Sequence, residues 1–203
     1  MRLIQQNPDL SAYLGADAAI DHDHPRVRAT AARLRGTGLD AYSYAKAAFE
    51  FVRDHIPHSH DADDPWVTWR ASDVLALRTG ICYAKSHALA ALLRAESIPA
   101  ALCYQRLTDD DGRDPVVHGL VAVRLPGGAR WFRQDPRGNK PGVDARFSLA
   151  EERLAWTVRP ECGEVDYPLL HAAPHPAVLD ALKAAPDRAR LWRTLPTELA
   201  ATG

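Results

Sequence analysis

This 203-residue chain is short of several things that would mark a specialised protein. It has only three cysteines, Cys82, Cys103 and Cys162. Three thiols cannot all pair, and their spacing fits no disulfide framework, which argues against a cross-linked secreted module. No apolar run approaches the roughly 18 residues of a membrane-crossing helix. The opening segment, Met1 to Pro8, lacks the apolar stretch of a secretory signal. Neither sign of charge is in excess: 25 Lys and Arg face 26 Asp and Glu, for a net charge of −1. Long-range attraction to nucleic acid or anionic lipid is therefore not expected. No pair of the C-x-x-C or H-E-x-x-H type is present, so no metal or cofactor is expected. The expected setting is a reducing cytoplasm, where a thiol stays available.

The chain is long enough for one sizeable core. A globule near this size buries about 70% of its unfolded surface. One domain over residues 1–203 is expected, with its core at about 41–155, N-terminal helices within 25–55 and a Pro-rich helical tail at 160–203. Pro25 to Arg35 has helical spacing at Val27, Ala31 and Leu34. Asp40 caps a stronger helix, with Tyr44, Ala45, Ala48, Phe49 and Val52 on one stripe, and Pro57 ends it. His58 to Trp69 reads as a polar and aromatic loop. Ser72 suits the N-cap of a short helix to Leu77. Gly80 breaks the pattern, and a new helix is expected over Ile81 to Ala95. Its middle, Ala88 to Leu93, is apolar nearly all round, as in helices at the centre of a domain.

Three strands are expected next: Ala100 to Leu107, Val116 to Leu125 and Arg130 to Asp135. Turn residues join them, Asp109-Asp110-Asp111-Gly112 and Pro126-Gly127-Gly128, so an antiparallel meander follows. Ser148-Leu149-Ala150-Glu151 reads as a capping box that opens another helix. Short helical patterns recur at Val178 to Ala184 and Asp187 to Arg193. The fold class is α+β, with a central helix carrying Cys82 packed on an antiparallel sheet.

Cys82 falls in the first turn of that central helix. Unpaired N–H groups there favour a thiolate and could hold an oxyanion formed at an attacked carbonyl. Gly80 allows a tight turn and leaves room for substrate. The plainer reading of Cys82 is a small buried hydrophobe. His118 interrupts the apolar strand Val116 to Val123, and its ring nitrogens need partners; a backbone carbonyl would satisfy one. Asp135 ends the next strand before Pro136. A turn centred between Pro126 and Gly127 would set positions 118 and 135 directly opposite, with Cβ atoms about 5 Å apart. A carboxylate so placed can hold one ring nitrogen while the other faces the thiol.

Gly80-Ile81-Cys82, then His118 in a strand, then Asp135-Pro136 in the following strand resembles the transglutaminase-like superfamily of papain-type cysteine enzymes. Ser72 to Leu75 and Ala88 to Ala100 match its bacterial members, and the likeness covers about 41–155. The resemblance implies a catalytic helix against an antiparallel sheet, with Cys82 as nucleophile, His118 as base and acid, and Asp135 as orienter. It also implies a peptide or amide substrate, attacked through a thioester. Some family members are inactive, so an interaction module is the alternative. Two positions depart from the pattern of many members: Tyr83 follows the cysteine where animal enzymes usually have Trp, and Leu120 stands two residues after the histidine. With no counterpart of the animal enzymes' calcium sites or extra β-domains, hydrolysis or transfer on a small amide is expected over protein crosslinking.

A second oxyanion donor is not evident; Trp69, Gln105 and Tyr83 are candidates beside the backbone N–H of Cys82. Trp66 and Trp69 could line a substrate groove or cap the core. Histidines are dense at His22, His24, His55, His58 and His60, with Asp21, Asp23, Asp61, Asp63 and Asp64 nearby. Their alternation suits a polar loop rimming a cleft better than zinc geometry. Arg137 to Lys140 could meet a substrate carboxylate or stay solvated.

Overall fold

The computed structural model describes residues 1–200. Helix α1, Pro25–Arg35, starts with proline at its first positions, and the His24 ring accepts from the Arg26 N–H. Helix α2, Ala41–His55, is capped by Asp40, whose carboxylate accepts from Ser43 N at 2.7 Å. Its stripe of Tyr44, Ala45, Ala48, Phe49 and Val52 is buried in the main core. Helix α3, Ala71–Leu77, begins one residue before the expected Ser72 cap. Ser72 instead lies inside the first turn, because acceptors from a distant segment serve the helix start. Ala71 N donates to Ala19 O at 2.8 Å, and Ser72 N donates to Asp21 Oδ1 at 3.0 Å.

Helix α4, Cys82–Ala95, is the hub. Every residue from Cys82 to Arg94 is buried. Two charged side chains share that interior, and both are satisfied by carbonyls, as burial of charge requires. Arg94 donates to Gly15, Ala100 and Ala172 oxygens. Lys85 donates to Ile56 O and Arg53 O, at the C-terminal end of α2. A cation suits that end of a helix dipole.

The sheet packs against α4. Strands β2, Ala100–Leu107, β3, Val116–Val123, and β4, Phe132–Gln134, form the expected meander; a short β5, Val165–Asp166, adds to its edge, giving the order β4-β3-β2-β5. Alternation splits the sheet's residues between two cores. Leu102, Tyr104, Val117, Val121 and Val123 join the helices, while Ala101, Cys103, Leu120 and Ala122 pack with Tyr13 and Leu170 on the other face. That second face is covered by the N-terminal segment, where β1 (Ile4–Gln5) runs parallel to β6 (Leu169–Leu170). Helices α5, Pro176–Ala184, and α6, Arg188–Arg193, follow.

Two expectations are corrected here. Val121 pairs with Gln134 and Val123 with Phe132, so the β3–β4 hairpin is centred between Gly127 and Gly128. His118 and Asp135 are therefore diagonal neighbours, not direct partners. The slip is even, so both still project from one face. The capping box also opens no helix. Ser148 Oγ does accept from Ala150 N and Glu151 N. But Gln134 holds the Ser148 backbone from both sides, and Ala155 N is drawn to Asp135. These long-range bonds occupy groups a helix would need.

Candidate active site

Tyr83 sets the position of the α4 N-terminus. Its ring lies against Gly119, where a Cβ would approach Tyr83 Cδ1 to 2.7 Å, and its hydroxyl donates to Val117 O. The bare glycine lets the first turn of α4 lie close on β3, next to His118. Ile81 is the N-cap and makes no side-chain cap bond. The first-turn N–H groups, including that of Cys82, thus have no capping side chain.

A cavity of about 860 Å³ opens at this junction, lined by Cys82, Tyr83 and His118 among others. The cysteine is 9% exposed, His118 4% and Asp135 0%. His118 Nε2 lies 2.9 Å from Asp135 Oδ2. The carboxylate also accepts from Arg137 N at 3.0 Å and Ala155 N at 3.1 Å. Burial opposes charge on the imidazole, but the Asp135 carboxylate and the Cys82 sulfur overcome it and raise His118 to about 10. Burial likewise opposes charge on Asp135, and His118 with the two backbone N–H groups holds it below the usual carboxylate value.

Side chains distant in sequence complete the walls. Trp156 meets the His118 ring edge-on at 5.1 Å and 86°. Arg137 lies over the ring of this tryptophan, 5.3 Å from its centroid. Arg137 and Lys140 both pair with Asp61, so neither awaits a substrate carboxylate as an unpaired cation. From the C-terminal side come Trp192, stacked on His60 at 4.1 Å, and Leu195. Val117 N donates to Pro196 O at 2.8 Å, fixing this tail beside the cavity.

The cavity therefore brings together Cys82, His118 and Tyr83, with Asp135 directly behind His118. Trp66 and Trp69 do not line it. Trp66 is 65% exposed on the surface, and Trp69 packs on the main core under Arg70 and Lys183. Gly80 is also outside the lining; it is a packing glycine, whose Cβ would approach Ala84 Cβ to 2.9 Å and Thr68 Oγ1 to 3.0 Å. Gln105 faces His118 across the ladder, but its amide N–H is held by Asp166 at 2.9 Å. Sequence reasoning missed Trp156 and Trp192; His58, expected in a loop rimming a cleft, also lines the cavity. Trp156 and Trp192 carry no local signal, since the irregular backbone and the tail bring them in.

No curated protein matches this chain. A solved structure from Cytophaga hutchinsonii, described as a "putative cysteine protease", superposes with a TM-score of 0.53 at 21% identity. The match covers 64% of this chain and 43% of that one, less than half of its length. At that identity the likeness speaks for the fold alone. The model of the transglutaminase-like superfamily matches residues 28–136, more than half of the chain, and that span includes α4, β3 and Asp135. On the combined evidence of that match and this architecture, the chain belongs to the transglutaminase-like superfamily.

Proposed function

We propose that this protein is a cysteine-dependent acyl-transfer enzyme or hydrolase acting on a peptide or other amide. Cys82 is the nucleophile, His118 the base and acid, and Asp135 the group that orients the imidazole. With Nε2 bonded to Asp135, His118 Nδ1 is the nitrogen left for the thiol. His118 takes the thiol proton or, already protonated beside Asp135, holds the sulfur as the thiolate of a thiolate–imidazolium pair. The thiolate attacks the carbonyl carbon, a C–S bond forms and the carbonyl electron pair moves to oxygen. The Cys82 N–H stabilises this oxyanion. Collapse breaks the C–N bond, and imidazolium hands its proton to the leaving amine. The thioester then passes its acyl group to water or to an amine, and the thiol returns.

One observation carries the reading: an imidazole tied to a buried carboxylate at 2.9 Å shares a cavity with the first-turn cysteine of a buried helix. That juxtaposition matches the needs of an activated thiol. The test is a panel of acyl esters and amides with varied side chains, read by intact-protein mass. An acyl adduct on Cys82 that decays in water or transfers to an added amine supports the proposal. Retained turnover in Cys82→Ala refutes it.

A further inference from the structure

We infer that His58 supplies the second hydrogen bond to the oxyanion, beside the backbone N–H of Cys82; the inference rests on the acyl-transfer reading above. Several donors around the cavity are already engaged. The Tyr83 hydroxyl is spent on Val117 O, and the Gln105 amide on Asp166. Arg137 and Lys140 are bound by Asp61, and Arg159 by Glu164. Each sits at or near the cavity with at least one donor already directed to a protein acceptor. Trp69 lies elsewhere.

His58 differs. Its ring lines the same cavity as Cys82 and His118, yet the residue is only 7% exposed. Among the described residues neither ring nitrogen has a hydrogen-bond partner, and with Nδ1 closed to solvent Nε2 is the nitrogen open to the cavity. A buried imidazole nitrogen without a partner is costly and calls for a ligand or a role. The backbone that carries the ring is also held in register with the nucleophile. His58 forms a parallel bridge with Gly80, and Ser59 N donates to Gly80 O at 3.1 Å, two residues before Cys82. A donor fixed to the nucleophile's own flank needs no reorganisation when charge develops, which is what oxyanion stabilisation demands.

The ring's charge state fits the task. Burial, then the nearby Arg137, holds His58 well below its usual value; Lys85 and His118 act the same way, and Asp61 opposes them. The imidazole is thus neutral at pH 7. A neutral ring makes a poor acid but keeps one N–H to donate, and a neutral histidine can polarise a carbonyl in this manner. No proton leaves it. The N–H bonds the oxyanion as the C–S bond forms and releases it on collapse.

The experiment compares two reactions of the same sulfur. Acylation by an activated ester passes through an oxyanion; alkylation by iodoacetamide does not. For His58→Leu, acylation of Cys82 is expected to slow about 10²- to 10³-fold, with alkylation unchanged. His58→Gln restores an N–H donor and is expected to recover at least a tenth of the lost rate; this variant keeps the test available should the leucine variant fail to fold. Unchanged acylation in His58→Leu would overturn the inference, as would equal slowing of both reactions, which would make His58 a support for Cys82 and His118. A wild-type protein that alkylates but never acylates would overturn both the donor role and the reading of function beneath it.

Discussion

His118 and Asp135 join through a 2.9 Å hydrogen bond although they sit diagonally across the hairpin, and the pair is almost wholly shut off from solvent. Trp156 meets the imidazole edge-on. In such a place the partner decides the charge. His118 is raised to about 10, so its contribution to stability is complete below about pH 6.5 and is lost as pH rises through about 10. Asp135 is lowered, so its contribution is present above its usual value and is lost as pH falls through the depressed one. Between these limits the ion pair is intact.

Asp135→Asn removes the charge that outweighs burial. The account expects Cys82 acylation to slow by ~10²- to 10⁴-fold. It also expects the alkaline limb of the rate profile, near pH 10 in the wild type, to move to lower pH, because burial then dominates His118. Stopped-flow acylation across pH 5 to 11 reads both effects. A limb that stays in place would remove the carboxylate from its role.

Gly119→Ala would drive a Cβ to 2.7 Å from the Tyr83 ring and 3.3 Å from Tyr83 Cα. The second contact is with backbone, so the first turn of α4 must move, carrying Cys82 with it. The expected cost is about 1–3 kcal/mol of stability, with slower alkylation of Cys82. Urea midpoints and labelling rates check this together. Wild-type values for both would mean the close approach is not needed.

The three thiols should separate under native labelling. Cys103 is fully buried in the second core, where burial pushes its thiol up to about 12. It is expected to stay unmodified by iodoacetamide at pH 7 until the protein is unfolded. Peptide mapping of labelled protein decides the order, and early modification of Cys103 would contradict the packing described.

Lys85 gives a pH signature of its own. Burial, then Arg137, lowers it to about 7. The unfolded chain therefore holds more protons between about pH 7 and its usual 10.5, and the Lys85 contribution to stability rises with pH there. His118 acts with the opposite sign in the overlapping range, so the informative quantity is the difference between proteins. Lys85→Met should lose about 1–3 kcal/mol through the unpaired carbonyls of Ile56 and Arg53. Its deficit should also widen from pH 7 to 9, since the variant lacks the rising term. Urea melts at three pH values measure it, and a constant deficit would contradict the assignment.

Much of the fold was legible because its signals are local. The stripe in α2, the all-round apolar α4 and the alternation in β2 and β3 each state their element within one segment. The candidate triad was legible for the same reason: Cys82 follows a glycine break, and His118 interrupts an apolar strand. The diagonal register of Asp135 was not, because it depends on where the Pro126-Gly127-Gly128 turn is centred. The failed helix after Ser148 shows long-range bonds to Gln134 and Asp135 defeating a good local signal. His58, Trp156 and Trp192 reach the cavity through a bridge, an irregular loop and the C-terminal tail, none of which periodicity records.

The most direct test is the rate of Cys82 alkylation at pH 6, resolved by peptide mass, in the wild type and in His118→Ala. The account predicts that Cys82 reacts well ahead of Cys162 in the wild type and loses that lead when the imidazole is gone. Equal rates for the two thiols, or a lead that survives His118→Ala, would contradict the claim that this sulfur and this imidazole work as one unit.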